Sequence, residues 1–182
     1  MRPGYRALLC LLTVSIVNTS LLTGCASRKS GTNSTANTST ATTSELPYAT
    51  APLPDSGFKA TITLPDPPSK LRAGEKVIIQ VKAKNASDVS WKVRGGGVDN
   101  KFYIAAGNRW LKPDGSLITA MDGRHGLDKN LKPGEETEVP LQITAPKDPG
   151  DYILEVDLVQ EQVAWFLDKG SPTAKTKITV VR

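Results

Sequence analysis

The stretch Lys76-Val77-Ile78-Ile79-Gln80-Val81-Lys82-Ala83-Lys84 puts Val77, Ile79, Val81 and Ala83 on one side and Ile78, Gln80, Lys82 and Lys84 on the other. Successive side chains of a strand point to opposite faces, so this run predicts a strand with one face in a core and one in water. Turn residues bound it, Arg72-Ala73-Gly74-Glu75 before and Asn85-Ala86-Ser87-Asp88 after.

Working outward, the same period recurs between regularly spaced turn signals. Residues 59–64 read as a first strand, stopped by Pro65-Asp66-Pro67-Pro68. Trp91 and Val93 open a third strand, and 102–110 and 116–121 follow, separated by the turn Lys112-Pro113-Asp114-Gly115. After Leu131-Lys132-Pro133-Gly134, residues 136–144 align Val139, Leu141 and Ile143, and the next strand aligns Tyr152, Leu154, Val156 and Leu158. Residues 175–181 close the pattern, with Ile178 and Val180 opposite Lys177, Thr179 and Val181. Seven to eight short alternating strands with few helical periods predict an all-β fold, an antiparallel β-sandwich over residues 57–182.

This block resembles an immunoglobulin-like domain. Trp91, shortly after the second strand, matches the buried tryptophan of that fold, and Pro149-Gly150-Asp151-Tyr152 matches the strand start where a tyrosine corner sits. The chain has two cysteines, Cys10 and Cys25, both far N-terminal to the strands. The resemblance is therefore to versions of the fold that lack the inter-sheet disulfide.

Arg2 and Arg6 precede a nearly uncharged apolar run, 7–22, which is shorter than the roughly 20 residues that cross a bilayer. With small residues at its end, the run has the layout of a secretory signal. Its close, Leu22-Thr23-Gly24-Cys25, resembles the lipobox of bacterial lipoproteins. That resemblance implies a signal peptide over 1–24, diacylglycerol on the Cys25 sulfur, and a membrane partner held through two or three acyl chains. Ala26 in place of an Asp implies the outer membrane, facing the periplasm, in a Gram-negative host. Between Cys25 and residue 56 the composition turns to Ser, Thr, Asn and Ala and then to Pro47, Pro52 and Pro54, with too little apolar surface to offset the entropy of ordering. A flexible tether of that length spans roughly 30 Å.

The net charge of the 182-residue chain is +5, from 23 Lys and Arg against 18 Asp and Glu, and it falls to +3 when Arg2 and Arg6 leave with the signal. The bases are interspersed with acids and form no patch, which argues against a nucleic-acid partner. His125 is the lone histidine, in a polar stretch expected to be a loop, and no thiol follows Cys25, so neither a zinc ligand set nor a Ser-His-Asp nucleophile is expected. Gly95-Gly96-Gly97 lacks a following Lys-Ser/Thr and reads as a loop tip, not a phosphate cradle. No enzyme, metal or cofactor is expected.

The candidate contacts are Arg109, Trp110, Asp122, Arg124, Asp157, Glu161, Trp165 and Phe166. The run Asp157-Leu158-Val159-Gln160-Glu161-Gln162-Val163-Ala164-Trp165-Phe166, with Asn108-Arg109-Trp110 and Asp122-Gly123-Arg124, resembles an Ig-like module of bacterial envelope and polysaccharide-related proteins. That module implies an envelope setting and no catalysis of its own. Two readings of the residues stand side by side. Flat aromatics beside planar polar groups suit sugar binding through Trp110 and Trp165, whereas buried aromatics with flanking ion pairs suit a core. The expected function is a non-catalytic protein-binding or scaffolding module, with glycan binding as the alternative. Protease inhibition through the loop Arg94 to Asn100 is a third reading.

Overall fold

The computed structural model describes residues 47–97 and 99–182, which are all-β apart from two single-turn 3-10 segments, Asp55–Gly57 and Leu167–Lys169. The strands are β1 (Ala60–Thr63), β2 (Lys70–Arg72), β3 (Lys76–Asn85), β4 (Ile104–Leu111) and β5 (Leu117–Thr119), then β6 (Arg124–Gly126), β7 (Glu136–Thr144), β8 (Gly150–Gln160), β9 (Ala164–Trp165) and β10 (Ala174–Val181). They form two sheets. One has the order β1-β3-β7; the other runs β2-β10-β8-β4-β5, with β6 also on β4 and β9 also on β8.

The alternation in β3 is realised as expected. Ile79, Val81 and Ala83 are buried, Val77 is half-buried, and Ile78, Gln80 and Lys84 are exposed. Across the sheet Ile79 faces Leu141 and Val81 faces Val139. The core between the sheets takes these residues together with Ile104, Ala106 and Trp110 of β4, Leu154, Val156 and Leu158 of β8, and Ile178 and Val180 of β10. At its centre Phe166 packs edge-on against both Phe58 and Trp91, with centroids 5.0 and 5.2 Å apart. Such contacts add to the burial of aromatic area.

This is an immunoglobulin-like β-sandwich. The first strand divides between the sheets: β1 pairs antiparallel with β3, then the chain crosses and β2 pairs parallel with the C-terminal β10. Tyr152 Oη donates to the Asp148 carbonyl at 2.8 Å, which is the tyrosine corner. Trp91 is fully buried and its indole N–H donates to the Gly57 carbonyl at 2.8 Å.

Four expectations are corrected. Trp91 belongs to no strand; it makes a single bridge with Leu131. Strand β2 was not expected, and neither was β6, where His125 lies in a strand opposite Ala106 and not in a loop. The sandwich also begins earlier than residue 57. Ala49 is buried and bridges Gly95, Asn130 Nδ2 donates to the Pro47 carbonyl at 2.8 Å, and Leu53 N–H donates to Gln160 Oε1 at 2.9 Å. Residues 47–56 are thus a strap laid on the sandwich. The signal peptide, Cys25 and the tether up to residue 46 lie outside the described residues.

Candidate interaction surface

Strand pairing decides which candidate residues meet. On β8, even-numbered residues enter the core, so Glu155, Asp157 and Val159 point to the outer face of the larger sheet, opposite Arg109, Gly107 and Ala105 of β4. An outer face is ordinarily wet, yet Glu155 and Asp157 are 4% and 1% exposed. Trp165 of β9 lies over part of this face. It pairs with Val159 on one flank of β8, and its ring reaches across to Gly107 on the other flank. A Cβ at Gly107 would lie 3.0 Å from the Trp165 ring and closer still to Arg124 Nη1. Glycine here leaves room for the Arg124 guanidinium and the edge of the Trp165 ring above β4.

The two covered carboxylates differ in their partners. Glu155 meets Arg109 Nε at 2.6 Å, Lys175 Nζ at 3.2 Å and Thr173 Oγ1 at 2.7 Å. Burial pushes its pKa up, but the hydrogen bonds from Thr173 and Lys175 and the charge of Arg109 outweigh it and hold the group below 4.5. Asp157 accepts two backbone N–H groups, from Leu158 at 2.8 Å and Leu167 at 3.1 Å. Burial dominates there and pushes its pKa up to about 6, against the lowering by those amides and by Arg109. The Arg109 Nη2 atom is buried without a hydrogen-bond partner.

Asp122 has a structural place. Its Oδ2 accepts from the Thr144 N–H at 2.5 Å, from Asn108 Nδ2 at 3.2 Å and from Trp110 Nε1 at 3.3 Å, while Asn108 Oδ1 accepts the Gly123 N–H at 2.8 Å. The carboxylate therefore ties β4 to the edge of β7 and satisfies a buried indole.

The pair of sugar-stacking tryptophans is not assembled. Trp110 is 1% exposed and packs edge-on against Tyr152, and Phe166 is fully buried, so both are core. Trp165 is half-buried, and the Arg124 guanidinium sits 4.5 Å from its ring centroid while pairing with Glu161 at 3.2 Å. A sugar stacking on that side of the ring has to displace Arg124. Of the eight candidate residues, Arg124, Glu161 and Trp165 form one surface cluster; Arg109 and Asp157 lie on the sheet beside it, and Trp110, Phe166 and Asp122 serve the fold.

The sequence reading missed the continuation of this cluster. Residues 116–121 carry no charge, and β5 is the edge strand of the sheet. Leu117 and Met121 are 56% and 64% exposed, Ile118 is 39% exposed, and Arg124 Nη2 reaches Met121 Sδ at 3.2 Å. Arg124 thus links Met121 to Trp165, and Leu117 is exposed on the neighbouring edge strand β5. The uncharged run is visible in the sequence, but there its apolar residues read as core.

At the strap end, Ala49 N–H donates to the Arg94 carbonyl at 2.7 Å and the Tyr48 ring lies against Gly96, so the loop considered for protease inhibition is held along one side. Among the described residues no group of three or more His, Cys, Asp or Glu converges.

No family model matches the chain, and no curated protein matches it. Among solved structures, it is similar to a CARDB domain from Pyrococcus furiosus solved in complex with di-metal ions, at 15% identity and a TM-score of 0.39, over 68% of this chain and 86% of that one. The sporulation control protein Spo0M of Bacillus subtilis matches at 18% identity and 0.39, over 68% and 49%. A β-glucosidase of Listeria innocua in complex with glucose matches at 14% and 0.41, over 68% and 16%. The likeness is one of strand architecture, at an identity and TM-score too low to bring over any ligand or activity.

Proposed function

We propose that this chain is an envelope lipoprotein, acylated at Cys25, whose immunoglobulin-like domain is a non-catalytic module that docks on another envelope protein. The docking surface is the cluster of Met121, Arg124 and Trp165 together with Leu117 on the edge strand β5. One observation carries this reading: the uncharged stretch 116–121, with Leu117 exposed on the edge strand β5 and Met121 exposed just beyond it, leads to an arginine stacked on a half-exposed tryptophan. Tryptophan, methionine and arginine are the residues that interfaces enrich. In a Gram-negative host, Ala26 supports placement on the outer membrane, facing the periplasm.

Two experiments test the two halves. Labelled palmitate should enter the wild-type protein in cells and not Cys25→Ala; label in both removes the anchor. For docking, a photo-crosslinking residue at position 121 should give a discrete adduct in intact cells, and one at position 80, on the outer face of the other sheet, should give none. Equal adducts from both positions, or none from either, sink the docking surface.

A further inference from the structure

The bases are scattered in the sequence, but strand pairing gathers four of them. Strand β2 lies parallel to β10, with Lys70 beside Thr179 and Arg72 beside Val181, across a separation of over 100 positions. Leu71, Ile178 and Val180 enter the core, so Lys70, Arg72, Lys175, Lys177 and Thr179 point out of the larger sheet. Along the two strands Lys175, Lys177, Lys70 and Arg72 follow in that order, all exposed. At about 3.3 Å per residue they make a file about 20 Å long, each cation about 7–8 Å from the next along the backbone.

Neither β2 nor β10 carries an acid. On the next strand, β8, Glu155 is buried and takes Lys175 at 3.2 Å together with Arg109, and Asp151 accepts from Thr179 Oγ1 at 2.8 Å. Glu75, in the turn after β2, spends its Oε2 on the Arg72 N–H at 2.6 Å. Among the described residues Lys70, Arg72 and Lys177 join no ion pair. Cations so spaced lie within a Debye length, about 8 Å at physiological salt, and repel one another. Negative charge laid along the whole file relieves that repulsion.

The file fits an extended, flat occupant. A small anion reaches one or two of the four cations, and neither strand has an aromatic side chain to stack on a sugar or a base. In the envelope reading no more than about 75 Å of extended chain separates Cys25 from Pro47, so a bilayer is always within reach. A tethered encounter is intramolecular, and few cations then suffice. We propose that the border formed by β2 and β10 lies against the anionic lipid headgroups of the membrane that carries the chain. This rests on the envelope reading for the nearness of a bilayer and is independent of the docking surface, since β5 lies at the opposite border of the same sheet.

The test uses the full chain reconstituted into vesicles of phosphatidylcholine, alone or mixed two to one with phosphatidylglycerol, with a quencher on a trace of the headgroups. A fluorescent amino acid at position 179 should be quenched on the mixed vesicles, less at high salt, and little on phosphatidylcholine alone; one at position 80, outside the other sheet, should be quenched little on either. Each cation at an anionic surface contributes about fivefold to the bound-to-free ratio, so Lys70→Gln with Lys177→Gln should lower it at least fivefold. Lys76→Gln with Lys84→Gln, which removes the same charge from the other sheet, should leave it unchanged. Equal quenching at 179 and 80, no dependence on phosphatidylglycerol, or equal losses in the two double variants overturns the inference while the envelope reading stands. A chain that does not partition with the vesicles removes both, and a missing palmitate label alone removes only the acylation.

Discussion

Replacing Asp122 by alanine strips one acceptor from three donors at once. The Thr144 N–H at 2.5 Å loses a charged partner on an otherwise open strand edge, and Asn108 Nδ2 and Trp110 Nε1, on residues each 1% exposed, lose theirs at 3.2 and 3.3 Å. A hydrogen bond to a charged group contributes about 1.5–3 kcal/mol, and a donor left without a partner costs about 1–3 kcal/mol. The two longer bonds belong at the bottom of that range, and the site is part-buried, so water can reach the Thr144 amide. The sum is about 3 kcal/mol for Asp122→Ala, or ~10 °C in Tm for a domain of this size. Asp122→Asn keeps one oxygen acceptor and should lose only about 1 kcal/mol. Urea denaturation followed by tryptophan fluorescence reads both, with the m-value unchanged. A loss below about 1 kcal/mol for Asp122→Ala refutes the clamp and returns Asp122 to the ligand candidates.

Asn85, fully buried, donates to the Val89 and Leu131 carbonyls and accepts from Ser87, so Asn85→Ala should cost about 3 kcal/mol or more by urea denaturation; a change under about 1 kcal/mol rejects its role. Tyr152→Phe removes the bond to the Asp148 carbonyl and should cost about 1 kcal/mol; an unchanged denaturation midpoint excludes the corner as a stabilising device. Gly107→Val should lift Trp165 and Arg124 off the sheet, shifting the Trp165 indole resonance while those of Trp91 and Trp110 stay; an unmoved Trp165 resonance disproves the close approach to Gly107. The two outer-face carboxylates should give opposite pH slopes. Asp157, raised, contributes stability that is present below 3.8 and lost as pH rises through about 6. Glu155, lowered, contributes stability present above 4.5 and lost as pH falls through its folded value. Asp157→Asn should therefore flatten the loss of stability as pH rises from about 4 to about 7, and an unchanged loss in that variant contradicts the burial described.

The strands whose pattern is local were legible in the sequence. Residues 136–144 match β7 at both ends, and 76–84 match β3 to within a residue, because each has one buried and one wet face. Strand β2 was invisible for a physical reason: three residues paired in parallel with a strand over 100 positions away leave no local period. β6 was hidden by its polar residues, which reflect a strand end beside an ion pair and not a loop. The candidate site was half legible. Along β8 every residue from Leu154 to Gln160 is buried, so the two-sided rule that marks outward residues as exposed fails there. It fails because Arg109, Lys175 and Thr173 gather on Glu155, and Arg124 and Trp165 come down over Gly107, a residue with no side chain to announce it. Trp110 and Phe166 could not be separated from Trp165 by type or spacing, since neighbours in sequence point to opposite faces and only the pairing register decides which.

The strap over residues 47–56 governs how the domain bears load. A pull applied from the N-terminal side of Pro47 meets first the Pro47 carbonyl bond to Asn130, then the paired bonds of Ala49 with Arg94 and Gly96, then the Leu53 bond to Gln160. These give way in succession, like stitches in a peeled seam. The four-residue ladder of β1 on β3 feels the force only afterwards. Such an order would make the strap a mechanical fuse, lengthening the chain under tension before the ladder of β1 on β3 is loaded.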